Sequence, residues 1–171
     1  MQIGVIGSNK SQCSDDLYQF AYEVGLLLGK KGHTVINGGM QGVMEAVSKG
    51  VKESQNTESK VVGILPFNNS DGCNDYLDVK IPTGIGFARN SVIALSSDIL
   101  IALGGGAGTL SEISFAWQYG KKVFCYMDVR GWSQNLANID LDNRKSDLLV
   151  GFQSMEELSK LIDNEGNIDV S

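Results

Sequence analysis

Glycines crowd one short stretch of the chain: GGGAGT occupies positions 104–109, directly after the apolar run at 98–103 and before a segment of helical pattern. A strand, a glycine-rich turn and a helix start bring unpaired backbone N–H groups and the positive end of a helix dipole to one point. Such a point attracts an anion, most often a phosphate. The glycine turns have neither the nicotinamide fingerprint nor the lysine of a Walker loop.

Two more glycine turns follow predicted strands, at Gly7-Ser8 and at 37–42. The carboxyl ends of parallel strands lie along one edge of a sheet, so the three turns are expected to converge on one crevice. Tight packing of a helix on a strand is the alternative explanation for Gly38 and Gly39. The candidate ligand-binding residues are Gly7, Ser8, Gly38, Gly39, Met40, Gly42, Arg89, Asn90, Gly105, Gly106, Ala107, Gly108 and Thr109.

Arg89 and Glu112 are the candidate catalytic residues beside the 104–109 turn. An arginine can clamp an anion with two parallel hydrogen bonds, and the glutamate would face the sugar of a bound nucleotide. Each residue also has a structural alternative. Thr109 and Glu112 have the spacing of a capping box, and Arg89 could form a surface or inter-subunit ion pair.

Strand and helix patterns alternate along the chain, which indicates an α/β fold: a Rossmann-like, doubly wound parallel sheet with helices on both faces. We expect a single nucleotide- or phosphate-binding domain over residues 1–171. The predicted strands cover 3–7, 34–36, 60–65, 77–81, 98–103 and 123–127. The predicted helices begin near 15, 43, 86, 109 and 155, and residues 129–147 are expected to be mostly irregular.

Composition narrows the choice of partners. The formal net charge of -6 and the pI near 4.7 do not indicate a basic surface that would bind nucleic acid or an anionic membrane. Cys13, Cys73 and Cys125 are widely spaced, so we expect neither a zinc site nor a disulfide framework, and a cytoplasmic location. The acidic loop at 68–78 is expected to be solvated. The sequence therefore predicts no metal site and no transmembrane segment.

Arg89, the Ser97-Asp98 pair and then GGGAGTLSE resemble the signature of the Lonely Guy (LOG) superfamily, in which an Arg-Lys pair and a Ser-Asp pair precede P-G-G-x-G-T-x-x-E. The resemblance extends from the amino-terminal IGVIGS to about Val123. It implies that Arg89 and Glu112 are the catalytic pair of a nucleoside 5′-monophosphate phosphoribohydrolase, which cleaves an N-glycosidic bond. The older label of lysine decarboxylase has no support in the sequence, since no lysine has a setting that suggests pyridoxal phosphate binding.

Three departures indicate a sister branch, that of the molybdenum cofactor carrier proteins. Gly104 stands in place of the motif's proline, Asn90 in place of the lysine and Ser111 in place of the first of two glutamates. This branch implies binding of a phosphorylated pterin without its transformation. The sequence thus predicts a protein that binds a nucleotide monophosphate or a pterin phosphate such as molybdenum cofactor, with no required cofactor. The LOG-type hydrolase is the alternative.

The same resemblance implies a homodimer or a higher homo-oligomer. The predicted helix at 86–96, together with Phe115, Trp117 and Tyr119, offers apolar surface for such an interface. Ordinary core packing is the alternative, and we expect it for at least one of these aromatic residues.

Overall fold

The computed structural model describes residues 1–166, so the last five residues of the predicted domain lie outside the described part of the chain. Its strands all pair in parallel and form one sheet in the order β4-β3-β2-β1-β5-β6-β7. The strands are β1 Gln2–Gly7, β2 Thr34–Asn37, β3 Lys60–Leu65, β4 Val79–Pro82, β5 Ile99–Leu103, β6 Val123–Tyr126 and β7 Leu149–Phe152.

Helices cover both faces of this sheet. The helices are α1 Asp15–Lys30, α2 Val43–Glu53, α3 Arg89–Ser96, α4 Ala107–Gln118, α5 Trp132–Leu136 and α6 Met155–Gly166. One hydrophobic cluster joins α1, α2 and α6 to the sheet, and a second cluster joins α3 and α4 to its opposite face. The predicted doubly wound α/β architecture is therefore confirmed.

The central strands β1 and β5 are apolar because both of their faces are covered. Every residue of β5 is buried, and β5 pairs with β1 from Ile3 opposite Ile99 to Gly7 opposite Leu103. The chain first runs outward from β1 to β4 and then returns to β5 on the other side of β1. The connections that leave β1 and β5 therefore diverge, and a crevice opens between the carboxyl ends of these two strands.

The structure differs from the predicted helices and strands in segments whose apolar residues show little periodicity. Strand β7 was not predicted, because Leu149–Phe152 has only four residues and is interrupted by Gly151. The short helix α5 lies within the segment expected to be mostly irregular. The strand expected at 77–81 is Val79–Pro82, and the helix expected from residue 86 starts with a 3₁₀ turn, Gly86–Ala88, before α3.

Candidate functional site

The three glycine turns meet at one polar crevice, at the carboxyl ends of the central strands. This crevice has a volume of about 180 Å³. Backbone from all three turns lines it, as do the side chains of both candidate catalytic residues. The lining residues include Gly7, Asn9, Gln12, Gly38, Phe87, Arg89, Asn90, Gly106, Gly108, Thr109 and Glu112.

The backbone N–H groups of the 104–109 turn fall into two sets. Gly104 N–H donates to Ser133 Oγ at 2.8 Å, and Gly105 N–H donates to Ser8 Oγ at 2.9 Å. The N–H groups of residues 106–109 donate to no group within residues 1–166. Helix α4 makes its first internal hydrogen bond at Leu110, whose N–H donates to Gly106 O at 3.0 Å.

The four unpaired N–H groups belong to the N-cap and the first three residues of a 12-residue helix, so they lie at the positive end of its dipole. Its N-cap, Gly106, has no side chain that could satisfy them. Unpaired donors at the start of a helix bind phosphate and carboxylate groups in many folds. The first turn of α4 therefore leaves four backbone donors open toward a possible acceptor outside the described chain.

At two glycines around this crevice, an added Cβ would collide with a side chain of the crevice. Gly105 has φ +94°, and a Cβ added there would lie 2.1 Å from Thr109 Oγ1. A Cβ on Gly38 would lie 2.5 Å from the guanidinium nitrogens of Arg89. The first glycine makes the sharp turn after β5, and the second lets the arginine lie against the backbone of the turn after β2.

Arg89 is the first residue of α3, and it is only 8% exposed. Its Nη1 lies 3.4 Å from Glu112 Oε1, a long contact for an ion pair. Its Nε is buried and has no hydrogen-bond partner within residues 1–166. A buried polar atom without a partner is costly. Arg89 therefore brings an incompletely satisfied cation to the crevice.

Glu112 lies on α4, with its side chain 9% exposed. Burial raises the pKa of Glu112 to about 7, although the positive charge of Arg89 acts in the opposite direction. Burial likewise lowers the pKa of Arg89, more than Glu112 raises it. The crevice therefore contains a carboxyl group that changes charge near neutral pH.

The capping box expected from Thr109 and Glu112 is wrong, and so is a surface ion pair of Arg89. Helix α4 begins at Ala107, so Thr109 is not its N-cap, and the Thr109 hydroxyl instead donates to Gly7 O at 3.2 Å. Glu112 lies beyond the first turn and caps nothing. Arg89 pairs with Glu112 inside the chain, not with a group on the surface.

Asn90 and Ser111 lie at two of the departures from the Lonely Guy motif, and they contact each other. Asn90 Nδ2 donates to Ser111 Oγ at 2.7 Å, and Ser111 Oγ donates to Gly108 O at 2.7 Å. A neutral hydrogen bond thus joins α3 to the first turn of α4 at positions where the motif has a lysine and a glutamate. The two departures are structurally coupled.

The other candidate ligand-binding residues lie around the crevice without lining it. Met40 lines an adjoining recess, and Ser8 holds the 104–109 turn through Gly105. Ala107 is exposed at the first residue of α4. The glycines of the second turn pack inside the fold: Gly39 approaches Leu65, and Gly42 approaches the backbone at Ser8 and Asn9.

Asn9, Gln12, Met44 and Phe87 also line the crevice, and sequence reasoning did not select them. Asn9 and Gln12 lie in the loop after β1, which could have been found because all such loops reach the same edge of the sheet. Phe87 lies two residues before Arg89. Its 86% exposure became visible only in the structure.

Within residues 1–166, no three or more His, Cys, Asp or Glu side chains are grouped so that they could hold a metal ion. In the same part of the chain, no helix has the length and apolar character needed to cross a membrane. The polar groups that line the crevice are backbone amides, Arg89, Glu112 and neighbouring amide and hydroxyl side chains.

Known proteins share this architecture. A protein of Archaeoglobus fulgidus, described only as uncharacterized, is 51% identical over 123 residues, which are 72% of this chain and 78% of that protein. The molybdenum cofactor binding protein of the phototrophic bacterium Rippkaea orientalis is 34% identical, with a TM-score of 0.83 and 96% of each chain covered. The molybdenum cofactor carrier protein of Chlamydomonas reinhardtii is 27% identical, with a TM-score of 0.80, and the match covers 95% of this chain and 96% of that one.

The match to a protein family spans nearly the whole described structure. The family model of the SLOG cluster4 family covers residues 1–159, which include every strand and all three glycine turns. This result agrees with the resemblance seen in the motif around Arg89 and Glu112. The chain belongs to the SLOG cluster4 family.

Proposed function

We propose that this protein binds a phosphorylated small molecule, either a nucleotide monophosphate or a pterin phosphate such as molybdenum cofactor, and holds it without transforming it. The observation that carries the proposal is the set of unpaired N–H groups at residues 106–109, next to the buried cation of Arg89. The two molybdenum cofactor proteins of the same fold support the choice of ligand.

A phosphate at the first turn of α4 accepts hydrogen bonds from these amides and lies near Arg89. The amides at a helix start donate in fixed directions, and a guanidinium group donates hydrogen bonds and carries a positive charge. The two kinds of donor therefore complement each other in binding a phosphate. The phosphate also supplies acceptors to the Arg89 guanidinium group, whose ion-pair contact with Glu112 is long, at 3.4 Å. Ligand binding thus satisfies groups that the folded chain leaves open.

The crevice is better equipped for holding than for hydrolysis. Cleavage of an N-glycosidic bond builds positive charge on the sugar, and ionised carboxylates stabilise that charge or activate water. Glu112 is the carboxyl group that lines the crevice, and burial favours its neutral form. Asn90 and Ser111 add only a neutral hydrogen bond.

The LOG-type hydrolase is the second candidate, and one observation favours it. Glu112 has a pKa of about 7 and lies in the crevice beside Arg89, which suits a group that exchanges protons during catalysis. In that mechanism Arg89 positions the substrate, the N–H groups of the 104–109 turn hold the 5′-phosphate, and Glu112 stabilises the sugar or activates water.

One assay separates the two functions. Purified protein is incubated with adenosine monophosphate, N6-substituted analogues and guanosine monophosphate, while calorimetry measures binding and chromatography measures free base. The proposal expects binding without release of base. Release that disappears in Glu112→Gln would instead establish the hydrolase, and the absence of any binding would contradict both functions.

Location and assembly complete the proposal. We infer that the protein acts in the cytoplasm as a homodimer or a higher homo-oligomer, without nucleic acid as a partner. The acidic net charge of -6 supports the last point, because it repels a phosphate backbone.

A further inference from the structure

A second recess opens beside the polar crevice. Its volume is about 440 Å³, and it shares Asn9, Met44, Phe87 and Arg89 with the crevice. The crevice alone, at about 180 Å³, is smaller than the roughly 300 Å³ of the smallest ordinary ligand pockets. The crevice therefore has room for the anionic end of a ligand, and the adjoining recess is where the remainder of the ligand can extend.

Thioether, proline and aromatic side chains form the apolar part of the lining of the recess. Met40 and Met44 bring thioethers to it, and Pro66, Phe67 and Phe87 bring rings. Methionine sulfur and aromatic side chains make favourable contacts with the faces and edges of other unsaturated rings. The chemistry of this lining fits a flat ring better than it fits a sugar or another hydroxylated chain.

Two of these rings are unusually exposed. Phe87 is 86% exposed, and Phe67 is 52% exposed. Large apolar side chains gathered at the mouth of a cavity mark a binding surface, because leaving them in water costs free energy. A flat ring that lies on Phe87 covers this surface.

The backbone fixes Phe87 relative to the anion-binding position. Phe87 lies in the 3₁₀ turn Gly86–Ala88, and Arg89 follows immediately as the first residue of α3. Gly86 N–H donates to Pro66 O at 2.9 Å, which ties this turn to the opposite wall of the recess. One short segment therefore carries both a ring-binding and an anion-binding side chain.

We propose that the recess of Met40, Met44, Pro66, Phe67 and Phe87 binds the flat heteroaromatic ring of the ligand whose phosphate lies at the first turn of α4, with Phe87 stacked on that ring. The inference rests on the proposed function and makes it narrower. The protein selects phosphorylated heteroaromatic compounds over phosphorylated sugars, which offer no face for stacking.

The test compares ligands that share a phosphate and differ in the ring. Calorimetry measures the affinities of adenosine monophosphate, guanosine monophosphate and ribose 5-phosphate for the wild type, Phe87→Ala and Phe87→Tyr. Guanosine monophosphate carries the amino-oxo pyrimidine edge that pterins also have. In the wild type, we expect at least one nucleotide to bind about tenfold or more tightly than ribose 5-phosphate, the effect typical of one stacked base.

Phe87→Ala should bring the affinity for the nucleotides close to that for ribose 5-phosphate, whereas Phe87→Tyr should retain the advantage. Ile85→Ala is the matched control, because Ile85 is 49% exposed in the same segment and lines neither cavity. Both residues are exposed, so neither substitution threatens the fold.

Equal affinities for all three ligands, or equal effects of Phe87→Ala and Ile85→Ala, would overturn the ring recess but not the phosphate site. Failure of all three ligands to bind would overturn the proposed function itself.

Discussion

At the scale of single residues, Arg89 and Glu112 form a pair that the fold leaves incompletely satisfied. Their one contact is long, at 3.4 Å, and Arg89 Nε has no partner within residues 1–166. Burial also opposes both charges, since it lowers the pKa of Arg89 and raises that of Glu112. A buried pair of this kind is weak evidence for a stabilising role and better evidence for a binding role.

Replacement of Arg89 tests its part in anion binding. Hydrogen bonds to charged groups contribute about 1.5–3 kcal/mol, so Arg89→Gln should weaken binding of adenosine monophosphate roughly 10- to 100-fold in calorimetry. Arg144→Gln is the matched control, because Arg144 forms an exposed pair with Asp142 and lines neither cavity. An Arg89→Gln variant that binds as well as the control would remove Arg89 from the site.

The charge of Glu112 predicts a pH dependence. Glu112 is neutral below its pKa of about 7 and negative above it. The negative form repels a phosphate and competes for Arg89, so affinity should fall as pH rises from 7 to 9, by up to about tenfold per pH unit. Over this range a phosphate monoester, with a second pKa of about 6, is already almost fully ionised.

Glu112→Gln should make the affinity nearly independent of pH in the same range, because the amide carries no charge. Isothermal titration calorimetry in buffers with different ionisation enthalpies also counts the protons that the wild type takes up with the ligand. A wild-type affinity that stays flat above pH 7, with no proton uptake, would show that Glu112 does not face the bound anion.

At the scale of elements, the 104–109 turn is held in place by contacts from distant parts of the chain. Ser8, in the loop after β1, accepts from Gly105 N–H, and Ser133, in α5, accepts from Gly104 N–H. Trp132 and Ser133 also donate their N–H groups to the carbonyls of Gly105 and Gly104. These contacts satisfy the start of the turn and leave only the amides of residues 106–109 open.

A substitution at Gly105 tests this construction. Gly105→Ala forces an alanine into φ +94° and places its Cβ 2.1 Å from Thr109 Oγ1, so it should destabilise the protein by more than about 2 kcal/mol and abolish ligand binding. Gly86→Ala is the control: it has φ +58°, but no atom lies within 4 Å of the added Cβ, so it should cost only about 1 kcal/mol. Urea unfolding measures both changes. Equal losses of stability would contradict the steric argument.

The sequence was sufficient to predict the glycine turn and its strand and helix, because a buried strand, a run of glycines and a helical pattern occur in succession there. It misplaced the start of α4. Thr109 and Glu112 fit a capping box, yet α4 begins at Ala107, two residues before Thr109. The Thr109 hydroxyl donates to Gly7 O, and the N–H groups of Gly105 and Gly104 donate to Ser8 and Ser133. These hydrogen-bond partners of the turn are distant in sequence, so a local sequence pattern cannot predict them.

Strand β7 and the role of Phe87 also depend on contacts that are distant in sequence. Strand β7 is stabilised by its pairing with β6, not by a strong pattern of its own. The role of Phe87 depends on its exposure at a recess that four separate segments of the chain line. In contrast, Arg89 and Glu112 were predicted to share a crevice from their motif, and the structure brings them together there.

At the scale of the whole molecule, the proposed anion site belongs to a negatively charged protein. The net charge of -6 opposes any phosphorylated ligand at long range, so attraction must be local. The dipole of α4, its unpaired amides and Arg89 supply that attraction at the point where the strand order reverses. The proposed site therefore lies where the topology of the sheet opens a crevice.

The surface of α3 and α4 predicts self-association. Leu95 is 59% exposed on α3, and Tyr119, at the end of α4, is 41% exposed, whereas Trp117 is buried in the core. Leu95→Asp should shift the wild-type oligomer toward the monomer of 18.4 kDa in chromatography with light scattering. Ile139→Asp, at a residue 46% exposed outside these helices, should not. A wild type that is already monomeric, or no shift in Leu95→Asp, would contradict this interface.

The central claim is that the amides at the first turn of α4 bind the phosphate, and nuclear magnetic resonance tests it directly. In a titration of ¹⁵N-labelled protein with guanosine monophosphate, the account predicts that the largest amide shifts occur at residues 106–109, with smaller shifts at Gly105, whose N–H is already bonded to Ser8. Saturable binding that leaves the amides of residues 106–109 unchanged would contradict the account.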